Sequence, residues 1–382
     1  MGAVFSQAEP VQALLLCMTQ KKFLMKKYLY SFIFLITTLS VSAQQKTKNL
    51  VIVTLDGMRW QEVFGGVDTA LLSEKRFTHD SSGTASAFWN DTLTTRRKKL
   101  FPFLWSVVAE GGQLYGNRWM QNKVNVTNPY QFSYPGYNEI FTGYPDAAIH
   151  SNDKILNPNI NVLEFLNQQT GFTGKVAAFS TWDVFPYILN ARRSGVYVNA
   201  DVDTLHFPDA NLKLINDIQF LTTRPIGVRP DVLTYMAARE YMKDYHPRVL
   251  YIAFDETDDF AHGGMYDQYL KSAHAEDGML ADLWKFLQSD PQYKDNTTLI
   301  ITCDHGRGDT RKETWRDHGQ KIPESGQIWV AAIGPDTLPL GELKTAGQLY
   351  QQQLAATFAA LLGFQFTANH PVGKPVQSIY SN

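Results

Sequence analysis

The order of strand-like and helix-like runs constrains this chain more than any other feature of its sequence. Three short apolar, β-branched runs, at 49–55, 248–254 and 298–303, are each followed at once by an aspartate. Runs of this length that end at polar residues are typical of buried strands. Helical patterns lie between them, most clearly at 231–245 and 269–289. Strands that alternate with helices predict an α/β fold with a mostly parallel central sheet and helices on both faces.

The remaining segments extend this pattern. Further helices are predicted at 101–110, 160–169 and 349–362, and further strands at 175–180 and 328–333. The segment 124–137 is rich in Asn, Pro and Tyr and is predicted to be a loop, with a helix beginning within 139–142. The segment 184–230 is predicted to be irregular and to form an insertion that covers the substrate. With no internal repeat and no clear linker, we expect one catalytic domain over 45–382.

The first 45 residues differ in character from the rest. Met25-Lys26-Lys27 precede a mostly apolar run at 28–41, and a Val-Ser-Ala sequence then ends at Ala43. This pattern predicts a signal peptide over 25–43, cleaved after Ala43, and therefore export to the periplasm or the medium. Residues 1–24 are interpreted as a non-native extension from an upstream start codon. An uncleaved membrane anchor is the alternative, although the apolar run is short for a spanning helix.

Composition narrows the possible partners. The chain has 382 residues, of which 44% are hydrophobic, so it can bury a large core. Its net charge of −2 gives no reason to expect a nucleic-acid scaffold as a partner. Cys303 would be the only cysteine of the processed chain, which excludes an intramolecular disulfide.

Aspartates and histidines gather behind the predicted strands. The candidates are Asp56, Asp258, His262, Asp304, His305 and His318. In open α/β sheets, ligands bind just past the carboxyl ends of the strands. Asp and His without Cys suit zinc or manganese, and six candidates exceed what one ion needs, which favours two metal sites. Each of these residues taken alone is also compatible with an ordinary polar turn.

A candidate nucleophile lies in the sequence Phe-Ser-Tyr-Pro-Gly that contains Ser133. The turn that follows this serine precedes a predicted helix start, and a helix N-terminus offers unpaired N–H groups to an anion. Coordination to a metal could deprotonate the hydroxyl at neutral pH. The alternative interpretation is a simple turn residue.

The combination of these motifs resembles the alkaline phosphatase superfamily, in particular its type I phosphodiesterase/nucleotide pyrophosphatase branch. The matching pieces lie at 54–59, 133–135, 141–145, 258–262, 304–306 and 318–319. Their order and spacing span most of the chain after the signal segment. The resemblance implies an alkaline phosphatase-like fold and a hydrolase acting on small-molecule phosphoric esters.

The resemblance also implies roles for individual residues. One divalent metal would be held by Asp258, His262 and His318, and a second by Asp56, Asp304, His305 and the Ser133 oxygen. Two Zn²⁺ ions are expected, with Mn²⁺ as the alternative. Ser133 takes the place of the family's nucleophilic Thr or Ser. Asn152 is the nearest match to an Asn that grips a phosphoryl oxygen.

Some residues depart from the family pattern or leave the assignment open. Gly136 stands where the family usually has Asn, and Asp255 and Asp259 compete with Asp258 for its role. The basic residues near the last two motifs either bind a substrate anion or form a solvated loop. They are Arg307, Arg311, Lys312 and Arg316.

Rival functions remain at this point. Sulfatases of the superfamily share a Cys/Ser-x-Pro-x-Arg motif, and this chain has Tyr137 in place of the Arg. A phosphoglycerate mutase would act in the cytosol, which the predicted export disfavours. An exported binding protein with an idle metal site is the non-enzymatic alternative.

Overall fold

The structure is a computed structural model that describes residues 1–2, 46–224 and 226–380. Its contacts separate the unit Gln45–Asn382 from Met1–Gln44, and all elements given below belong to the larger unit. The predicted signal peptide at 25–43 and almost all of the extension at 1–24 lie outside the described residues. No helix in the described ranges is long and apolar enough to cross a membrane.

Two sheets contain all the strands of the described residues. The strands are β1 Asn49–Leu55, β2 Gln113–Tyr115, β3 Asn122–Asn125, β4 Val176–Ser180, β5 Tyr197–Ala200, β6 Val249–Phe254, β7 Thr297–Thr302, β8 Gln327–Ile328, β9 Val330–Ile333, β10 Gly341–Glu342 and β11 Gly347–Tyr350. The central sheet has eight strands in the order β10-β2-β9-β7-β1-β6-β4-β5, and only β9 runs antiparallel to its neighbours. A small sheet joins β11, β3 and β8.

Helices connect the strands. The α-helices are α1 Trp60–Gly65, α2 Thr69–Ser73, α3 Ser81–Phe88, α4 Leu93–Leu100, α5 Ala109–Gly111, α6 Ser133–Thr142, α7 Val162–Asn167, α8 Phe185–Ile188, α9 Ala191–Ser194, α10 Ala210–Leu221, α11 Asp231–Tyr245, α12 Glu256–His262, α13 Tyr266–Ser289, α14 Leu354–Leu361 and α15 Gln377–Tyr380. A π-helix at Leu104–Val108 precedes α5, and 3₁₀ turns lie at Arg118–Met120, Lys312–Arg316, Pro323–Gly326 and Gln351–Gln353.

The core surrounds the middle of the central sheet. Every residue of β1, β6 and β7 is buried, so helices cover these strands on both faces. Burial on both faces explains why the strands read as continuous apolar runs rather than as alternating ones. The predicted α/β class, with a mostly parallel sheet and helices on both faces, is confirmed.

The register of the central strands places their ends at one edge of the sheet. β1 pairs in parallel with β6, with Leu55 opposite Phe254, and with β7, with Thr54 opposite Thr302. The residues that follow these strands therefore leave the sheet side by side. This edge is where Asp56 and Asp304 begin their loops.

The segment 124–137 is not the predicted loop. β3 ends inside it, and α6 begins at Ser133, so the residues 139–142 end this helix instead of beginning one. Pro135 lies in the first turn of α6, where the N–H that Pro lacks would have no helical partner. Gly143 ends the helix in the left-handed conformation, at φ 67°.

The prediction of an irregular segment at 184–230 is wrong. This segment contains α8, α9, β5 and α10, and β5 forms an edge of the central sheet. Local side chains begin two of the helices, because Asn190 accepts a hydrogen bond from Arg193 N and Asp209 accepts from Asn211 N. That the segment covers the substrate stays a prediction.

Two further predictions require correction. The strand expected at 328–333 divides into β8 and β9, which belong to different sheets. The helix expected at 349–362 begins only at Leu354, after the end of β11 and a 3₁₀ turn. Both breaks occur where the chain passes from the small sheet towards the central core.

The start of α6 packs very closely against the residue that follows β7. A Cβ atom at Gly136 would lie 2.6 Å from the backbone oxygen of Asp304 and 3.1 Å from its carbonyl carbon. A side chain at this position would therefore meet rigid backbone. Glycine is required here by the close approach of helix and strand end.

We expect Gly136→Ala to lower the free energy of unfolding by roughly 1–3 kcal/mol, because the added methyl must push α6 away from Asp304. Gly278→Ala is the matched control, since Gly278 lies in α13 with nothing within 4 Å of a Cβ. That variant should be neutral or more stable by about 1 kcal/mol. Urea unfolding of the chelator-treated proteins measures both values, and equal stabilities would contradict the close approach.

A buried carboxylate in α13 makes the stability depend on pH. Burial raises the pKa of Asp277 from its usual 3.8 to about 7, although the backbone N–H groups of Phe103 and Leu104 donate to it at 2.7 and 3.0 Å. At a pH between 3.8 and about 7, the folded chain keeps a proton on Asp277 that the unfolded chain releases. The contribution of Asp277 to stability is therefore present at low pH and is lost as the pH rises towards 7.

We expect the difference in free energy of unfolding, wild type minus Asp277→Asn, to fall as the pH rises from about 4.5 to about 6.5. The expected slope is roughly 1 kcal/mol per pH unit, since the variant has no proton to lose at this position. Urea unfolding of both proteins at several pH values, with chelator present, gives this difference. A difference that does not vary with pH would show that Asp277 ionises normally.

Candidate metal centre

One cluster of potential ligands combines residues from the first and last turns of α12 with a residue from the segment after β7. It consists of Asp258, His262 and His318, whose ligand atoms all lie within 4.8 Å of one another. His262 Nε2 is 3.1 Å from Asp258 Oδ2 and 2.9 Å from His318 Nε2. Two unprotonated imidazole nitrogens this close would repel each other, whereas a cation between them would attract both.

A second cluster lies at the ends of β1 and β7. Its members are Asp56, Asp304 and His305, again with ligand atoms within 4.8 Å of one another. His305 Nε2 is 3.4 Å from Asp56 Oδ1 and 3.4 Å from Asp304 Oδ2. Ser133 Oγ, at the first residue of α6, lies 3.5 Å from the same nitrogen.

The two clusters adjoin each other. His305 Nε2 is 3.7 Å from Asp258 Oδ1, and the rings of His305 and His318 stack with their centres 3.9 Å apart. The structure thus brings together all six ligands predicted from sequence and the predicted nucleophile. The spacing is compatible with two ions that share one substrate group.

The hydrogen bonding of the second cluster fits a cation. Asp56 Oδ1 and Asp304 Oδ2 are buried, and neither has a hydrogen-bond partner among the described residues. His305 Nδ1 is 3.0 Å from the carbonyl oxygen of Gly306, which fixes the proton on Nδ1 and leaves Nε2 to bind a metal. In both aspartates the oxygen without a partner is the one that lies 3.4 Å from His305 Nε2.

The electrostatics of the second cluster lead to the same conclusion. Burial, followed by the negative charges of Asp304 and Asp258, raises the pKa of Asp56 well above its usual 3.8. Carboxylates this close and this deeply buried repel one another, so a bound cation would relieve a cost that the fold otherwise bears. The donor set of carboxylate and imidazole suits Zn²⁺ or Mn²⁺.

Of the three aspartates at the start of α12, only Asp258 belongs to a cluster. Asp255 occupies the position before the helix, where its backbone N–H donates to Asp231, and Asp259 points elsewhere. Burial opposes ionisation of Asp258, yet the guanidinium of Arg307 beside it holds its pKa well below the usual 3.8.

Arg307 is a site residue that sequence reasoning missed. The sequence allowed two interpretations of Arg307, as a residue that binds a substrate anion or as part of a solvated loop. In the structure its side chain is 1% exposed, and it donates to Asp258 Oδ1 and to the Asp258 carbonyl oxygen. Lys312 instead pairs with Asp68 and Asp309 at the surface. An Arg directly after Asp-His-Gly was the only sequence signal for this role.

Two further contacts lie around the nucleophile. Asn152 is exposed, and its Oδ1 accepts a hydrogen bond of 2.9 Å from the backbone N–H of Tyr134, next to Ser133. Tyr137, one turn further along α6, donates to Asp56 Oδ2 at 2.8 Å. The first two turns of α6 thus contact both the predicted phosphoryl-binding residue and a potential ligand of the second cluster.

Comparison with known structures finds the same fold in several enzymes. The alkaline phosphatase PafA has a TM-score of 0.59 at 13% identity, with 87% of this chain and 99% of that chain covered. The lipoteichoic acid synthase LtaP from Listeria monocytogenes has a TM-score of 0.57 at 13% identity, covering 88% of this chain and 77% of the other. The phosphonate monoester hydrolase of Agrobacterium radiobacter has a TM-score of 0.54 at 12% identity, covering 87% and 77%.

Sequence comparison identifies the branch. A comparison with curated protein sequences finds no match. The family model described as type I phosphodiesterase / nucleotide pyrophosphatase matches residues 50–360, which include every site residue named above. The chain therefore belongs to the type I phosphodiesterase/nucleotide pyrophosphatase family, hydrolases with an alkaline phosphatase-like fold that act on phosphoric ester bonds.

Proposed function

We propose that this protein is an exported, metal-dependent phosphoric ester hydrolase that forms a covalent phosphoserine at a two-metal site. The observation that carries the proposal is the position of Ser133 Oγ, 3.5 Å from His305 Nε2 at the edge of two adjoining ligand clusters. Membership of a phosphodiesterase family in a metal-dependent superfamily supports it. Export rests on the signal-peptide pattern at 25–43.

The ligand sets follow from the two clusters. Asp258, His262 and His318 would hold one ion, and Asp56, Asp304, His305 and Ser133 the other, with Zn²⁺ as the first choice and Mn²⁺ as the second. When bound, such ions lower the pKa of a hydroxyl and stabilise negative charge on phosphoryl and leaving oxygens.

Ser133 performs the first step. Its hydroxyl loses a proton to solvent, and Oγ forms a bond to phosphorus on the side opposite the leaving oxygen, whose bond to phosphorus breaks. The leaving oxygen then takes up a proton. Ser133 is suited to this role because it occupies the first turn of α6, whose positive end attracts the phosphoryl oxygens.

Water completes the reaction. Its oxygen forms a bond to phosphorus as the bond to Oγ breaks, which releases phosphate or a phosphomonoester and restores the serine. Asn152 would donate its amide NH₂ to a phosphoryl oxygen, since its Oδ1 is already used by Tyr134 N–H. This contact is strongest when negative charge accumulates on the phosphoryl oxygens.

A cavity lined mainly by residues of the segment 184–230 is our candidate for the leaving-group site. It has a volume of about 580 Å³ and is lined among others by Lys154, Leu156, Tyr187 and Val202. Tyr134, adjacent to Ser133, donates its hydroxyl to the carbonyl oxygen of Ile155 at 2.5 Å and lies 3.2 Å from that of Tyr187. The segment 184–230 thus contributes to this cavity, which supports the prediction that it covers the substrate. An organic leaving group, and hence a diester, fits this cavity better than a bare phosphate.

Metal removal tests the cofactor requirement. We expect dialysis against a chelator to abolish hydrolysis of bis-p-nitrophenyl phosphate, and addition of Zn²⁺ to restore it, because the nucleophile depends on a bound cation. Metal analysis of the restored protein should give two ions per chain, and circular dichroism should show that the apoprotein stays folded. p-Nitrophenyl phosphate and p-nitrophenyl sulfate serve as comparison substrates.

Several outcomes would overturn the proposal. Turnover that survives complete metal removal would exclude the two-metal mechanism. The sulfate ester as the best substrate would favour a sulfatase, and bound metal without turnover of any ester would favour a binding protein.

Replacement of the nucleophile tests the covalent step. We expect Ser133→Ala to lower kcat at least 10³-fold without loss of the fold, because no other hydroxyl can replace Oγ. Rapid acid quenching of the wild type should leave one phosphoryl group on the peptide that contains Ser133. Ser289→Ala, at the distant end of α13, is the control and should keep full activity. Full activity in Ser133→Ala would refute the assignment.

A further inference from the structure

Among the described residues, Tyr137 makes the only side-chain hydrogen bond to the Asp56 carboxylate that does not come from another potential ligand. Its side chain is completely buried, and its hydroxyl donates to Asp56 Oδ2 at 2.8 Å. The other carboxylate oxygen, Oδ1, has no hydrogen-bond partner among the described residues and lies 3.4 Å from His305 Nε2. The two oxygens of one carboxylate therefore have different surroundings.

We propose that Tyr137 holds Asp56 as a ligand through one oxygen only, and that it thereby sets which metal the second cluster prefers. This inference rests on the proposed two-metal function. A carboxylate with both oxygens available can bind an ion through both, which raises the coordination number. Zn²⁺ takes four ligands in most protein sites, whereas Mn²⁺ accepts six.

The hydrogen bond opposes two-oxygen binding. For Asp56 Oδ2 to turn towards an ion, the Tyr137 hydroxyl would lose its charged acceptor. The neighbouring hydroxyl of Tyr251, bonded to Thr54 Oγ1 at 2.7 Å, is a neutral acceptor, so this exchange would replace a charge-assisted hydrogen bond with a weaker one. Tyr137 thus favours the one-oxygen geometry and the lower coordination number.

The surrounding contacts hold this arrangement in place. The Tyr137 ring packs edge-to-face against Phe185, with ring centres 4.6 Å apart, so the hydroxyl has little freedom to swing. The backbone carbonyl oxygen of Asp56 accepts a hydrogen bond of 2.7 Å from Thr257 Oγ1. Asp56 is consequently fixed at its backbone and at one carboxylate oxygen, and only Oδ1 remains for an ion.

The other ligands of the cluster are oriented by backbone groups. Asp304 Oδ1 accepts from the backbone N–H of Gly57 at 3.1 Å, and His305 Nδ1 contacts the Gly306 carbonyl oxygen. These contacts cannot be removed by a simple side-chain substitution. The hydroxyl of Tyr137 can be removed by substitution with Phe, which has the same ring and keeps the packing on Phe185.

The test compares two metals in Tyr137→Phe. Competitive titration of the apoprotein with a chromophoric chelator gives the dissociation constants for Zn²⁺ and Mn²⁺ at each site. We expect Zn²⁺ to bind one of the two sites about 10–100-fold more weakly, as is usual when a group that orients a ligand is lost. Mn²⁺ affinity at that site should be unchanged or higher, so the preference for Zn²⁺ over Mn²⁺ falls at least tenfold.

The controls separate this effect from general loosening. Tyr293→Phe removes another buried hydroxyl, which donates to the Pro247 carbonyl oxygen at 2.9 Å far from the ligands, and should leave the metal preference unchanged. A merely structural role for Tyr137 would weaken both metals equally and keep their ratio. That result would overturn the inference while leaving the proposed function intact. A wild-type protein that binds no metal would overturn both.

Discussion

The parallel pairing of β1 with β6 and β7 is the constraint on which the rest of the structure depends. Three buried strands in the middle of the sheet end at the same edge, and their backbone hydrogen bonds fix the distances between the loops that follow. Asp56 and Asp304 leave directly from this edge, and Asp258 follows one helical turn after it. Neither cluster needs an unusual backbone conformation at its aspartates, because the sheet itself brings the carboxylates together.

The sequence contained enough information for the fold and for the residues of the two clusters, since both depend on local patterns. Continuous apolar runs identified β1, β6 and β7, and the four-residue spacing of Asp258 and His262 identified a shared helix face. The helix that contains Ser133 was placed too late, because its first turn is rich in residues that also favour turns. The roles of Arg307 and Tyr137 were not identified from the sequence, because their contacts join segments that lie far apart in the chain. Tyr137 and Asp56, for example, are 81 residues apart.

Gly136 illustrates how one contact can explain a departure from a family pattern. Where the family usually has Asn, this chain needs a residue without a side chain, because Asp304 O lies 2.6 Å from the position of a Cβ. The result is a tightly packed junction of α6 with the end of β7. Ser133, the proposed nucleophile, and the residues Asp304 and His305 are thereby positioned against one another by backbone contact rather than by flexible side chains.

The wide separation of the ligands along the chain also has a consequence for biosynthesis. Asp56 and Thr257, which touch in the folded protein, are 201 residues apart, and His318 comes later still. Contacts of such long range form late in folding. A nascent chain that has not yet emerged beyond His318 lacks one ligand of the first cluster, so neither partial synthesis nor early collapse can assemble both clusters. Both clusters are therefore complete only when nearly the whole chain has been synthesised and folded.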